Sequence, residues 1–370
     1  MLRKGTFILM KTKIQDMTSG SPGRLIILFA IPLMLGNICQ QLYTMVDTMV
    51  VGQVAGVEAL AALGAVDFLM WVVTGISTGL TQGFSIQLSQ YYGAKDFENL
   101  RKSLAHSYRL TAFIAAGVLI LSQSFASLVL TGLHTPSNII GMSLLYLRII
   151  FCGIPATAAY NMFASALRAM GNSKTPLTAM IIASVLNVSL DILFVAGFGW
   201  GVAGAAIATV IAQSFSAVYC FLILRRIDIV HLSRADFMSA AGMNARLMKL
   251  GIPVVFQNII IGVGGLVVQY VINGYGFLFV AGFTATNKLY GLLEMAAISY
   301  GYAIVTYVGQ NLGAGKIDRI RKGVHSSMLL SLLTSLIISA AMFLFGKNIL
   351  SLFISGEPQQ TQEVLAIAFK

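Results

Sequence analysis

The segment LYTMVDTMVVGQ, Leu42 to Gln53, sets one carboxylate, Asp47, in a run apolar enough to lie in hydrocarbon. A second, Asp191, stands in NVSLDILF with Asn187 four residues earlier, and so on the same helical face. A charge at the centre of a membrane helix costs about 2.5–3.5 kcal/mol even on the lenient insertion scale, which makes a retained acid a functional candidate. Thr209 on the following helix and Asn161 on the preceding one can add neutral oxygens. Two carboxylates with amide and hydroxyl oxygens form the donor set of a hard cation or of a shared proton. Asn187 taken alone reads equally well as an interhelical hydrogen bond. Glu294, six residues beyond Lys288, reads equally as an anion in a substrate cavity or as a shielded structural acid. Arg148, near a helix start, reads as a snorkelling side chain, and Asp67 carries no assignment.

The elements that must position these residues are membrane helices. Of 370 residues, 57% are hydrophobic and 10% charged, with a mean hydropathy of +0.83. A soluble domain carries about 25% charged residues, so this chain cannot cover a water-facing surface. Apolar runs of bilayer length recur from Leu25 onward. They predict an all-α polytopic protein with helices near 24–52, 57–92, 100–132, 138–169, 174–197, 201–225, 246–273, 277–312 and 320–354. EVLAIAFK opens a further helix, making about nine spans and a stub.

Lys and Arg fall in alternate loops, whereas GQVAGVEA, TGLHTPSN and GFGWG hold none. The positive-inside rule then places the N-terminus in the cytosol, and the net charge of +11 reads as orientation rather than nucleic-acid binding. Cys39, Cys152 and Cys220 sit singly in apolar runs and read as buried structural thiols. The histidines, in or beside loops, form no ligand set. With no Walker loop, dinucleotide fingerprint, HExxH or paired-Cys motif, the chain reads as no enzyme and as carrying no cofactor. Any energy must come from an ion gradient.

The chain repeats itself. IPLMLGN at Ile31–Asn37 answers IPVVFQN at Ile252–Asn258, and QYYGAKDFENLRK at Gln90–Lys102 answers QNLGAGKIDRIRK at Gln310–Lys322. Both halves run in the same direction if each holds an even number of spans, and six per half fits a carrier with its site between the repeats. The expected division is a cytosolic tail 1–23, an N-lobe 24–226 of helices one to six, a cytosolic linker 227–245, and a partial C-lobe 246–370. Continuing the repeat puts a full-length end at about residue 447, so the second repeat is expected to be C-terminally truncated.

These pieces together resemble the multidrug and toxic compound extrusion (MATE) transporters, most of all the bacterial branch related to DNA-damage-inducible protein F. The similarity rests on MTSGSPGRLIILFAIPLMLGN, VDTMVVG, QYYGAKD, ALRAMGNSKTP, NVSLDILF, GAAIATVIAQ and TYVGQNLGAGK, in that order from Met17 onward. The resemblance implies two V-shaped six-helix lobes in the bacterial cytoplasmic membrane, exporting organic cations against inward Na⁺ or H⁺. It also implies a coupling cation held by Asp47, Asn161, Asn187, Asp191 and Thr209, with Tyr146 as a weaker match. Where some branches carry an acid in helix seven, this chain has Gln257. The expected partners are small organic cations and membrane lipid, with no nucleic acid and no oligomer implied. The alternatives are a lipid-linked oligosaccharide flippase of the same superfamily, against which the scarcity of buried Arg and Lys counts, and a non-transporting remnant.

Overall fold

A computed structural model describes residues 14–133, 135–238, 240–273 and 277–351. Eleven α-helices are found among them: α1 Pro22–Val54, α2 Val57–Gly64, α3 Asp67–Gly93, α4 Phe97–Gly132, α5 Ile140–Cys152, α6 Ile154–Ala169, α7 Lys174–Asp191, α8 Gly201–Leu224, α9 Met243–Asn273, α10 Phe277–Gly313 and α11 Ile317–Ser351. No strand occurs among the described residues. Among the described residues seven helical segments, α2 with α3 taken as one, are long and apolar enough to cross a membrane, and the bent α5–α6 pair makes up to an eighth. The expected eighth segment is helical as α10 and the ninth as α11 up to Ser351, and the stub EVLAIAFK lies outside the described residues.

Two expected helices are broken. The span expected over 57–92 divides at Ala65–Val66, and the one over 138–169 bends by 46° at Gly153. Pro155 follows that glycine at the start of α6, where its missing N–H costs nothing to the new helix but interrupts the old one. Elsewhere local chemistry starts the helices as the sequence suggests. In QYYGAKDFENL the Asp96 carboxylate accepts the Asn99 backbone N–H at 3.1 Å and caps α4.

The repeat is visible in the packing. The first helix of each half, α1 or α9, lies on the second helix of the other half, α10 or α3. The matched asparagines of IPLMLGN and IPVVFQN make matched bonds across this interface. Asn37 Nδ2 donates to Ser299 Oγ at 3.1 Å, and Asn258 Nδ2 donates to the Gly75 carbonyl at 3.0 Å. At the end carrying the basic loops, α3 and α10 cross backbone to backbone. A Cβ on Gly93 would run into the Gln310 carbonyl, and one on Gly313 into the Gln90 carbonyl.

That end is also fastened by residues 15–20. Met17 is fully buried. Its N–H donates to Gln310 Oε1 at 3.0 Å, while Gln310 Nε2 reaches the Ala169 carbonyl at 2.8 Å. Asn311 Nδ2 donates to the Met17 carbonyl, Lys316 Nζ to the Thr18 carbonyl and Arg319 to the Gly20 carbonyl, each at 2.9 Å. On the other side the Gln15 N–H meets the Gly171 carbonyl at 3.1 Å. Gly171 has φ +90° and lies against the Gln15 backbone, so only glycine fits there.

Residues 227–245 are bound to α4 rather than hanging free. His106 Nδ1 lies 2.7 Å from Asn244 Oδ1 and its Nε2 3.1 Å from the Met238 carbonyl, and Arg109 donates to the Phe237 carbonyl at 3.0 Å. This corrects the expectation that every histidine lies in or beside a loop, because His106 is a buried part of α4. A cysteine expectation also fails. All three thiols are free and Cys220 is buried, but Cys39 is only half-buried and Cys152 is exposed on the apolar exterior, where a thiol needs no burial in protein.

Candidate functional site

Three neighbouring helices of the first half bring the acids together. Asp47 lies late in α1, Asp191 ends α7, and Thr209 lies in α8, with α1 packed on α7 and α7 on α8. Beyond Asp191 the chain widens into a π-helical turn, Ile192–Gly197. Such turns shift the hydrogen-bond register by one residue and are found often at functional sites. The rings of Phe194, Phe198 and Trp200 pack together beside this turn, with centroids 5.1–6.0 Å apart, Phe194 stacked on each of the other two.

Asp191 and Asn187 are fully buried and Asp47 is 5% exposed. Asn187 Nδ2 contacts Thr209 Oγ1 at 3.4 Å. The oxygens are what distinguish the cluster. Asp47 Oδ1, Asn187 Oδ1, both carboxylate oxygens of Asp191 and Gln213 Oε1 are buried and accept no hydrogen bond. All five are acceptors. Among the described residues no Lys or Arg pairs with Asp47 or Asp191. Buried acceptors without donors cost free energy singly, and carboxylates cost several kcal/mol each when left charged. Such a set is relieved by what carries positive charge: a metal cation, or a proton shared between the acids.

The other expected residues fall around this centre unevenly. Tyr146, buried on α5, lies within electrostatic reach of Asp47, Asp67 and Asp191. Asn161 is half-buried on α6, and its Nδ2 meets Thr78 Oγ1 of α3 at 3.4 Å rather than any member of the acid cluster. Gln257 on α9 and Glu294 on α10 are both exposed in the other half and are not brought to the acids. Arg148 is exposed on α5. Lys288 is among the residues whose side chains are not described.

Sequence reasoning missed three neighbours. Gln213 Nε2 donates to the Tyr43 hydroxyl at 3.3 Å, which places a second polar layer beside the acids. The signal was available, since Tyr43 precedes Asp47 by four residues and Gln213 follows Thr209 by four, each on the same helical face. Asp67, at the start of α3, lies within electrostatic reach of Asp47, a proximity that sequence spacing could not suggest.

Comparison with known proteins adds the wider setting. The family model described as MatE matches residues 32–193 and 253–369. The chain is 31% identical over 343 residues to the probable multidrug resistance protein YpnP of Bacillus subtilis, covering 93% of this chain and 77% of that protein. It is 28% identical to the probable multidrug resistance protein YoeA of the same organism, covering 96% of this chain and 78% of the other. Among solved structures, a MOP superfamily transporter from Pyrococcus furiosus superposes with a TM-score of 0.90 at 22% identity, covering 97% of this chain and 79% of that one. At that identity the superposition speaks for the fold alone.

Proposed function

The chain belongs to the MatE family of multidrug efflux transporters, and from that premise we propose that it is a cation-coupled antiporter. It exports organic cations across the bacterial cytoplasmic membrane in exchange for inward Na⁺ or H⁺, with its N-terminus in the cytosol. Its lobes are residues 24–226 and 246 onward, joined by a cytosolic linker at 227–245. The coupling cation is held by Asp47 and Asp191, with Asn187 and Thr209 supplying neutral oxygens. Asn161 and Tyr146 stand at the edge of this site. The observation that carries the reading is the group of five buried acceptor oxygens with no donor on α1, α7 and α8.

The cycle follows from charge balance. With no cation or proton bound, the two carboxylates repel each other across the α1–α7 contact. A cation or proton arriving from outside neutralises the pair and lets these helices close. α1 also packs on α10 of the other lobe, so its movement is felt at the interface where a drug would lie. The fastening made by residues 15–20 and the α3–α10 crossing is the cytosolic closure, which must open before a drug can enter from that side.

The test is ethidium efflux from liposomes containing the purified chain, under imposed Na⁺ or H⁺ gradients. Gradient-dependent efflux that is lost in Asp47→Asn and in Asp191→Asn is expected. Full coupling in both variants would remove the assignment of the site, and no efflux under either gradient from the unaltered chain would remove the antiport reading itself.

A further inference from the structure

On the outer side of α4, α6 and α8, away from the acid cluster, runs a groove in two parts. The inner part is an apolar cavity of 360 Å³ walled mainly by small residues, among them Ala112, Ala116, Pro155, Ala158 and Ala159. The outer part, at the basic end, has a volume of 370 Å³ and is lined by Arg225, His231, Leu232 and Phe237. The two parts share Tyr108 and Phe221 as a common wall. An aromatic series builds that wall. Tyr108 meets Phe163 edge-on at 5.3 Å, Phe163 meets Phe221 at 5.2 Å, and the Arg225 guanidinium lies 5.9 Å from the Phe221 ring centre.

We infer that this groove is a binding site for one anionic phospholipid, with the phosphate at Arg225 and His231 and an acyl chain between α4 and α6. Three observations agree. The mouth is basic: Arg225 and His231 are exposed, and Arg109 stands at the rim on the Phe237 carbonyl. Asp228, 3.9 Å from His231 Nε2, is the one acid paired there among the described residues, so Arg225 carries most of the charge. The interior is apolar and narrow, as an acyl chain requires. Between them stands Tyr108, a hydroxyl-bearing ring that lines both parts, at the level where glycerol esters follow a phosphate. A cationic drug has the wrong charge for this mouth, which is opposite in polarity to the acid cluster. Basic pockets between transmembrane helices on the cytoplasmic side are a recurrent means of holding anionic headgroups.

The experiment is native mass spectrometry of the delipidated full chain, titrated with phosphatidylglycerol or with phosphatidylcholine of the same acyl composition. One phosphatidylglycerol should be retained about fivefold or more tightly than phosphatidylcholine. Arg225→Ala with His231→Ala should abolish that preference, while Arg225→Lys should keep most of it. Ala112→Phe, which fills the groove from its exposed face, should weaken both lipids. Equal retention of the two lipids by the unaltered chain, or a preference that survives the Arg225→Ala and His231→Ala pair, overturns the proposal. So does displacement of the lipid by inorganic phosphate, which would mark a site for the free anion.

Discussion

Asp47 and Asp191 are costly to the fold, and that cost separates a coupling role from a structural one. Asp47→Asn removes a buried charge that no described side chain pairs with, so thermal stability in detergent should rise or hold. Cation affinity should move the other way, falling by about 3 kcal/mol, on the order of a hundredfold. A structural acid would lose stability in the same variant, which a melting curve beside an efflux assay resolves. Thr209 contributes through its 3.4 Å contact with Asn187 and through its own oxygen. Thr209→Val should therefore weaken coupling by about 1 kcal/mol, roughly fivefold, and Thr209→Ser should restore most of it.

Among the elements, the α3–α10 crossing is the tightest. The atoms facing Gly93 are those of the Gln310 backbone, which cannot rotate aside as a side chain can. Gly93→Ala should cost about 1–3 kcal/mol and loosen the basic end, read as a lower melting temperature and greater labelling of a thiol introduced at Thr18. The linker offers a prediction in pH. Asp236 is buried, which by itself would raise its carboxyl. The Ser233 N–H at 2.7 Å and hydroxyl at 2.8 Å, with Arg101 and Lys102 nearby, outweigh this and hold it below the ordinary carboxylate value of 3.8. A depressed folded value stabilises the docked linker above the unfolded value and is lost as pH falls through the folded one. Protection of amides 233–238 against hydrogen exchange, relative to the free-peptide rate at each pH, should thus stay high at neutral pH and fall only below about pH 3.8. Asp236→Asn should lower that protection at neutral pH and abolish its acid transition.

For the molecule as a whole, residues 15–20 join the two halves more directly than the linker does. Arg319 alone donates to Asn311 Oδ1 and to the Gly20 carbonyl, each at 2.9 Å, while its guanidinium lies 5.9 Å from the Tyr307 ring centre. Arg319→Ala should free the segment and favour opening at the basic end. Faster labelling at Thr18→Cys, with a shifted cation affinity at the acid cluster, is the expected result, because coupling between sites is reciprocal. An affinity unchanged within about twofold would mean that the latch and the acids are not coupled through α1.

The order of the apolar segments and most of their ends were legible in the sequence because hydrocarbon tolerates only long apolar helices, but the breaks at Ala65–Val66 and Gly153 were not. The acids were legible for the same reason, as rare charges in apolar runs. The repeat was legible too, down to the paired asparagines Asn37 and Asn258. Partners across helices were not. Asn161 and Thr209 are both polar residues at helical spacing, yet only the packing of α6 against α3 sends Asn161 to Thr78 while Thr209 meets Asn187. Nor could spacing bring Asp67 near Asp47, or place Tyr43 on Gln213. The membrane dictates which residues become helix, and period alone gives each helix its faces. Which faces meet is decided only when the helices close on one another, because side-chain volume and backbone approach, as at Gly93 and Gly313, are properties of pairs.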